Sequence, residues 1–301
     1  MIDSEPAPLP QRTANYFGRL TDTSRWDSFS HRLDDVFICT PPKCGTTWTQ
    51  AICANLILGT SDFSGKLTDI SPWFDSKIEQ LPVCLDNLAA QQHRRFIKTH
   101  TPLDGIPYHQ SSVYFVVYRE PRDAYFSVRN HLLNMSEPPD LPQLSSDPAA
   151  GFRAWVDADY EPEQGEQRSL IALTHHFSSY WAFRHLPNLH FFHFSDMKRD
   201  LAKVVARMAD ILNIEVTAAR IDEVCHAVSF GEMKKNASAF APASGKSLFK
   251  SDENFFNSGS NNQWHGVLSD ADIACYEQRL HALLEPDEAA WLAREEGEAG
   301  Q

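Results

Sequence analysis

The 301-residue chain has no apolar run long enough to span a membrane. Its first residues, Met1-Ile-Asp-Ser-Glu-Pro6, carry neither a basic n-region nor an apolar h-region. Positive charge is scarce: 27 Lys and Arg against 40 Asp and Glu give a formal net charge of −13. That balance argues against a general nucleic-acid binder, whose footprint is a basic face, but permits a local basic pocket. The six cysteines (Cys39, Cys44, Cys53, Cys84, Cys225, Cys275) contain no C-x-x-C pair and no zinc spacing. Three of them crowd into one short unit, so reduced thiols are expected rather than a disulfide framework. No internal repeat is present. The absences predict a soluble, cytoplasmic protein. Hydrophobic content of 42% and 301 residues allow a sizeable core, and one domain over residues 1–301 is expected, flexible at 1–12 and 290–301.

What the chain does have is the stretch Val36-Phe-Ile-Cys-Thr-Pro-Pro-Lys-Cys-Gly-Thr-Thr-Trp48. Val36 to Cys39 reads as a short buried strand, Thr40 to Gly45 as a turn, and Trp48, Ala51, Ile52 and Leu56 as a helix that Gly59 stops. Strand, tight loop and helix in that order turn unpartnered helix N–H groups and the positive end of the helix dipole onto the loop. That is an anion site. Lys43 adds a charge, and Thr46 and Thr47 add hydroxyls. The Walker pattern is not met, because Lys43 precedes Gly45 and the first glycine is missing.

Three later stretches carry chemistry. In Arg95-Phe-Ile-Lys-Thr-His-Thr-Pro-Leu103, Lys98 and His100 alternate on an extended chain and point to one side, pairing a cation with a group that titrates near neutrality. Ser112 to Tyr118 is almost continuously apolar, as a central parallel strand covered on both faces is. Arg119 follows at its carboxyl end, where open α/β sheets hold ligands, and Pro121 opens a helix carrying Ser127. Leu189 to Phe194 reads as another strand, with Ser195 or Asp196 capping a helix whose apolar residues from Met197 to Leu212 recur at helical spacing. A proline-rich connection, residues 136–166, contains one short helix around Phe152, Trp155 and Val156 and is expected to help form a binding pocket.

Pro42-Lys-Cys-Gly-Thr-Thr-Trp48 resembles the 5′-phosphosulfate loop of cytosolic-type sulfotransferases, P-K-S-G-T-T-W, with Cys44 for serine. Lys98 to Leu103 is similar to the family's K-T-H-x-P-L, and Arg119 to Ser127 to its R-x-P-x-D-x-x-x-S. Phe194 to Leu201 resembles Y-E-D-M-K-x-D-L, and Ser229 to Lys234 resembles S-F-x-x-M-K. Phe255 to Trp264 keeps Gly259 and Trp264 of F-x-R-K-G-x-x-G-x-W but has Asn257 and Ser258 where the family has Arg and Lys.

The resemblance implies an α/β fold with a central parallel sheet, helices on both faces and a P-loop-kinase-like core. It implies sulfuryl transfer from 3′-phosphoadenosine 5′-phosphosulfate to a hydroxyl of a small molecule, a phenol or lipid-like alcohol, with no metal. His100 takes the catalytic-base position, Lys43 the oxygen bridging to the leaving phosphate, and Lys98 the transferring group. Backbone N–H groups of Cys44, Gly45, Thr46 and Thr47 fall to the 5′-phosphate, and Arg119, Ser127, Asn257, Ser258 and Gly259 to the 3′-phosphate. Trp48 and Phe230 fall to the adenine, and Trp73 and Phe74 of Ser71-Pro-Trp-Phe-Asp75 to the acceptor. Lys246 or Lys250 is placed to replace the missing cations. Two other readings stand beside this one: a nucleotide-binding protein of the same fold, and a phosphoryl-transferring kinase. A homodimer is compatible with the sequence, which does not determine the oligomeric state.

Overall fold

The computed structural model describes residues 8–62, 65–240, 249–250, 255–256 and 259–295; Lys246, Asn257 and Ser258 lie outside them. Four strands, β1 (Val36–Cys39), β2 (Phe96–Thr99), β3 (Val113–Tyr118) and β4 (Leu189–His193), form one parallel sheet in the order β2-β1-β3-β4. Along β1 the side chains alternate between two apolar layers. Phe37 and Cys39 join Ile97, Tyr114, Val116 and Tyr118 in one, and Val36 and Ile38 join Phe96, Phe115 and Val117 in the other. Both faces are covered, which is why these strands read as continuous apolar runs.

The second layer is closed by α1 (Thr46–Leu58) and the helix Leu201–Ile211, and the first by the helices Pro121–Leu133, Leu170–Trp181 and Asp270–Leu283. Gly59 stops α1 in the left-handed region at φ 68°. Consecutive strands β1 and β2 lie on one side and the chain then crosses to β3, so strand order reverses at β1. The carboxyl ends of β1 and β3 flank the crevice there.

Three details depart from the sequence expectations. The segment after β4 is two helices, Phe194–Arg199 and Leu201–Ile211, broken at Asp200, whose side chain caps the second by accepting from Lys203 N at 3.0 Å. His193, rather than Ser195 or Asp196, caps the first. The tail expected to be flexible from residue 290 instead carries helix Pro286–Leu292. Leu292 is fully buried, and Arg294 is ion-paired with Asp196 at 2.5 Å.

Candidate active site

A cavity of about 1040 Å³ opens at the carboxyl ends of the strands, and the residues singled out by sequence line most of it. Lys43 and Gly45 both adopt positive φ, 65° and 108°, which curls the loop tightly into α1. Gly45 caps α1 with no side-chain hydrogen bond, and the N–H groups of Gly45, Thr46, Thr47 and Trp48 have no partner among the described residues. Gly45 is needed here: a Cβ in this left-handed conformation would meet the Phe194 ring at 3.3 Å.

Cys44 does not belong to the cavity wall. Its N–H is drawn 3.4 Å from the Pro41 carbonyl, closing the turn, and its side chain is fully buried in the core with the thiol pushed up to about 12 by burial. The side chain at this position therefore points away from any ligand, so cysteine for serine leaves the loop's inner surface unchanged. Phe74 is also corrected. It is fully buried against Trp26 (4.6 Å) and Phe29 (5.1 Å), because period-2 alternation sends it to the core when Trp73 faces the cavity.

Trp73 bridges to Lys98 and packs on both catalytic candidates. The Lys98 ammonium lies 4.8 Å from its ring, and the His100 ring meets it edge-on at 4.8 Å. His100 Nδ1 is 2.7 Å from the Thr40 carbonyl, which can only accept, so Nδ1 carries the proton and Nε2 is the free base. Burial and then Lys98 hold the His100 pKa down to about 3, leaving the ring neutral. Burial also lowers Lys43 to about 8, with Lys98 and Arg119 next as causes, and lowers Lys98 to about 8. None of Lys43, Lys98 and Arg119 forms an ion pair among the described residues. Three cations sharing one wall without a carboxylate partner, beside an unsatisfied helix N-terminus, call for a polyanion.

Arg119, 3% exposed, is held by the Ser260 carbonyl at 2.5 Å and stacks 4.4 Å over Phe194; its Nε is buried without a partner. Ser127 faces the same cavity from the helix Pro121–Leu133. Trp48 and Phe230 also line it, and Trp48 Nε1 is buried and unpartnered. Gly259, at φ 61°, presses on Phe230 so closely that a Cβ would fall 2.5 Å from the ring. Lys250 does not reach the cavity: its ammonium donates to the Leu133 carbonyl at 3.0 Å. Lys198, not singled out by sequence, donates to the Gly259 carbonyl at 3.2 Å.

Sequence reasoning missed three participants. His131 lies 3.4 Å from Lys43 Nζ and could have been found four residues after Ser127 on one helix face. Phe255 offers its ring to Lys43 at 4.8 Å. Asp75, fully buried, accepts from Thr99 Oγ1 at 2.5 Å and Thr101 Oγ1 at 2.7 Å, clamping the residues on either side of His100.

The model of the sulfotransferase domain family matches residues 33–285. A protein of Mycobacterium bovis named glycolipid sulfotransferase is 33% identical over 311 residues, covering 94% of this chain and 95% of its own length. Sulfotransferase 1A1 of Rattus norvegicus is 25% identical, covering 78% of this chain and 77% of its own. Among solved structures, mouse sulfotransferase SULT7A1 complexed with PAP superposes with a TM-score of 0.69 at 19% identity, over 90% of this chain and 92% of that one. A retinol dehydratase complexed with androsterone and PAP gives 0.67 at 18% identity, over 87% and 84%. The last two similarities speak to the fold.

Proposed function

The chain belongs to the sulfotransferase family, and from that premise we propose that it moves a sulfuryl group from 3′-phosphoadenosine 5′-phosphosulfate to the hydroxyl of a small phenol or lipid-like alcohol. The observation that carries the reading is the shared cavity. An unpartnered helix N-terminus, three unpaired cations and a neutral histidine with a free Nε2 face one space.

The donor, when bound, supplies an activated sulfuryl group. The residues present fit it. The N–H groups at Gly45 to Trp48 suit the 5′-phosphate, and Arg119, with its unpartnered Nε, and Ser127 suit the 3′-phosphate. Trp48 and Phe230 supply apolar surface for the adenine. Lys43 and Lys98 stand where negative charge develops, and a donor anion raises both from about 8, so that each is fully charged when needed. His100 Nε2 accepts the acceptor's proton while the Thr40 carbonyl fixes the ring. The same anion raises His100 from about 3, strengthening it as a base once the donor is in place. Charge met by lysines and oriented N–H groups leaves no step that requires a metal. A volume of about 1040 Å³ stands at the upper limit of ordinary ligand pockets, about 300–1,000 Å³, and accommodates donor and acceptor side by side. The glycolipid sulfotransferase name of the mycobacterial relative supports an acceptor with an apolar part.

The test is calorimetric binding of 3′-phosphoadenosine 5′-phosphate against 5′-AMP and ATP, followed by transfer of labelled sulfuryl group to a panel of phenols and lipid-like alcohols. Affinity that depends on the 3′-phosphate, together with label transfer, is expected. ATP turnover with magnesium would instead establish a kinase, and binding without transfer to any acceptor a binding protein.

A further inference from the structure

We propose that the acceptor end of the cavity contains an oxyanion subsite built on Arg168 and Arg19, and that the preferred acceptor carries a carboxylate or sulfate ester besides the hydroxyl that is modified. The proposal rests on the sulfotransferase reading above and names the acceptor class for that site.

Arg168 lies just before Ser169, the cap of the helix Leu170–Trp181, and lines the cavity together with Arg19. Neither guanidinium makes a hydrogen bond or ion pair with any described residue. Two carboxylates share the wall, Glu137 and Glu166. Glu166 is committed elsewhere: it accepts from Leu20 N at 2.8 Å and packs so tightly on Gly18 that a Cβ there would come within 2.6 Å. A half-buried guanidinium beside a second one, with five donors and no partner, is costly unless an anion completes it.

Its location separates it from the donor. The charge of Arg168 bears on His100 and His131, while the charges bearing on Lys43, Lys98 and Arg119 do not include it. Arg168 is therefore on the acceptor side of the catalytic histidine, and does not replace the cations missing at Asn257 and Ser258. It also works against the base while unpaired, since it helps depress His100. An anion bound there neutralises that influence, so the same contact both holds the acceptor and strengthens the group that deprotonates it.

The experiment uses the full chain saturated with 3′-phosphoadenosine 5′-phosphate. It measures binding of hydroxybenzoates and ω-hydroxy fatty acids of graded length, each against its methyl ester and against a sulfate ester of matched length. Transfer kinetics follow with the active donor. At least one anion is expected to bind and react about ten- to a hundredfold better than its ester through KM, as a charge-assisted contact allows. Arg168→Gln is expected to bring that ratio towards one, and Arg168→Lys to restore part of it; product-nucleotide binding shows that each variant is folded. Preference for carboxylates or for sulfate esters tells the two sources apart. Equal binding of every acid and its ester by the unaltered protein overturns the subsite, as does an Arg168→Gln variant that keeps the ratio. Anion-selective binding without transfer would retain the subsite and sink the sulfotransferase reading. Transfer to esters without selectivity would do the reverse.

Discussion

The Nδ1 atom of His100 lies 2.7 Å from the carbonyl oxygen of Thr40, the residue that follows β1. A backbone carbonyl cannot donate, so this contact alone sets the tautomer and leaves Nε2 as the base. The partner is main chain of the strand that also launches the anion-binding loop, so the base and the loop are held in register by one element.

Replacing His100 with Ala is expected to lower kcat by roughly a hundred- to ten-thousandfold while leaving product-nucleotide affinity near normal. Single-turnover transfer and calorimetry check the two halves separately. A variant retaining full rate would remove His100 from the chemistry.

Nucleotide affinity should fall as pH rises through about 8, where Lys43 and Lys98 lose their charge in the free protein. Both are shifted downward by burial, and a bound anion favours their protonated forms. Binding near pH 8–9 is therefore expected to take up protons, measurable by calorimetry in buffers of different ionisation enthalpy. An affinity constant from pH 7 to 10 would contradict this.

Asp75 is expected to act as a positioning residue through Thr99 and Thr101. Asp75→Ala orphans these hydroxyls and the Trp26 N–H, whose distance to Asp75 is 3.3 Å, and should destabilise the fold by about 3 kcal/mol or more. Thr101→Val keeps the Thr99 contact and is the cleaner test. Its kcat should fall while nucleotide affinity holds, and unchanged kcat would refute the role.

Gly259→Ala should weaken nucleotide binding, because the added Cβ falls 2.5 Å from the Phe230 ring and φ is 61°. The left-handed strain adds about 1 kcal/mol or more. Phe230→Ala in the same background should relieve the clash without restoring affinity, since the ring itself is the proposed adenine surface. Unaltered affinity in Gly259→Ala would show that this contact is not used.

Much of the arrangement was legible in the sequence. Apolar runs and turn residues marked the four strands and α1, because a parallel sheet buried on both faces leaves no polar position to confuse the reading. Motif spacing placed Lys43, Lys98, His100, Arg119 and Ser127 on one cavity, since each sits at or just beyond the carboxyl end of a strand. What could not be read depended on which way a side chain turned, or on a partner far along the chain. Cys44 and Phe74 each neighbour a cavity residue, and their outward look in the sequence hid a core position. Asp75 meets Thr99 and Thr101 only after β2 is laid beside β1. Arg168 reaches the acceptor side of His100 only because the connection after residue 135 folds back over the strand ends, where Gly165 N donates to the Phe17 carbonyl at 3.0 Å. Local pattern determined the sheet and the anion loop through burial and helix-end chemistry. Tertiary packing alone decided the acceptor wall, because it is assembled from loops whose residues have no periodicity to declare them.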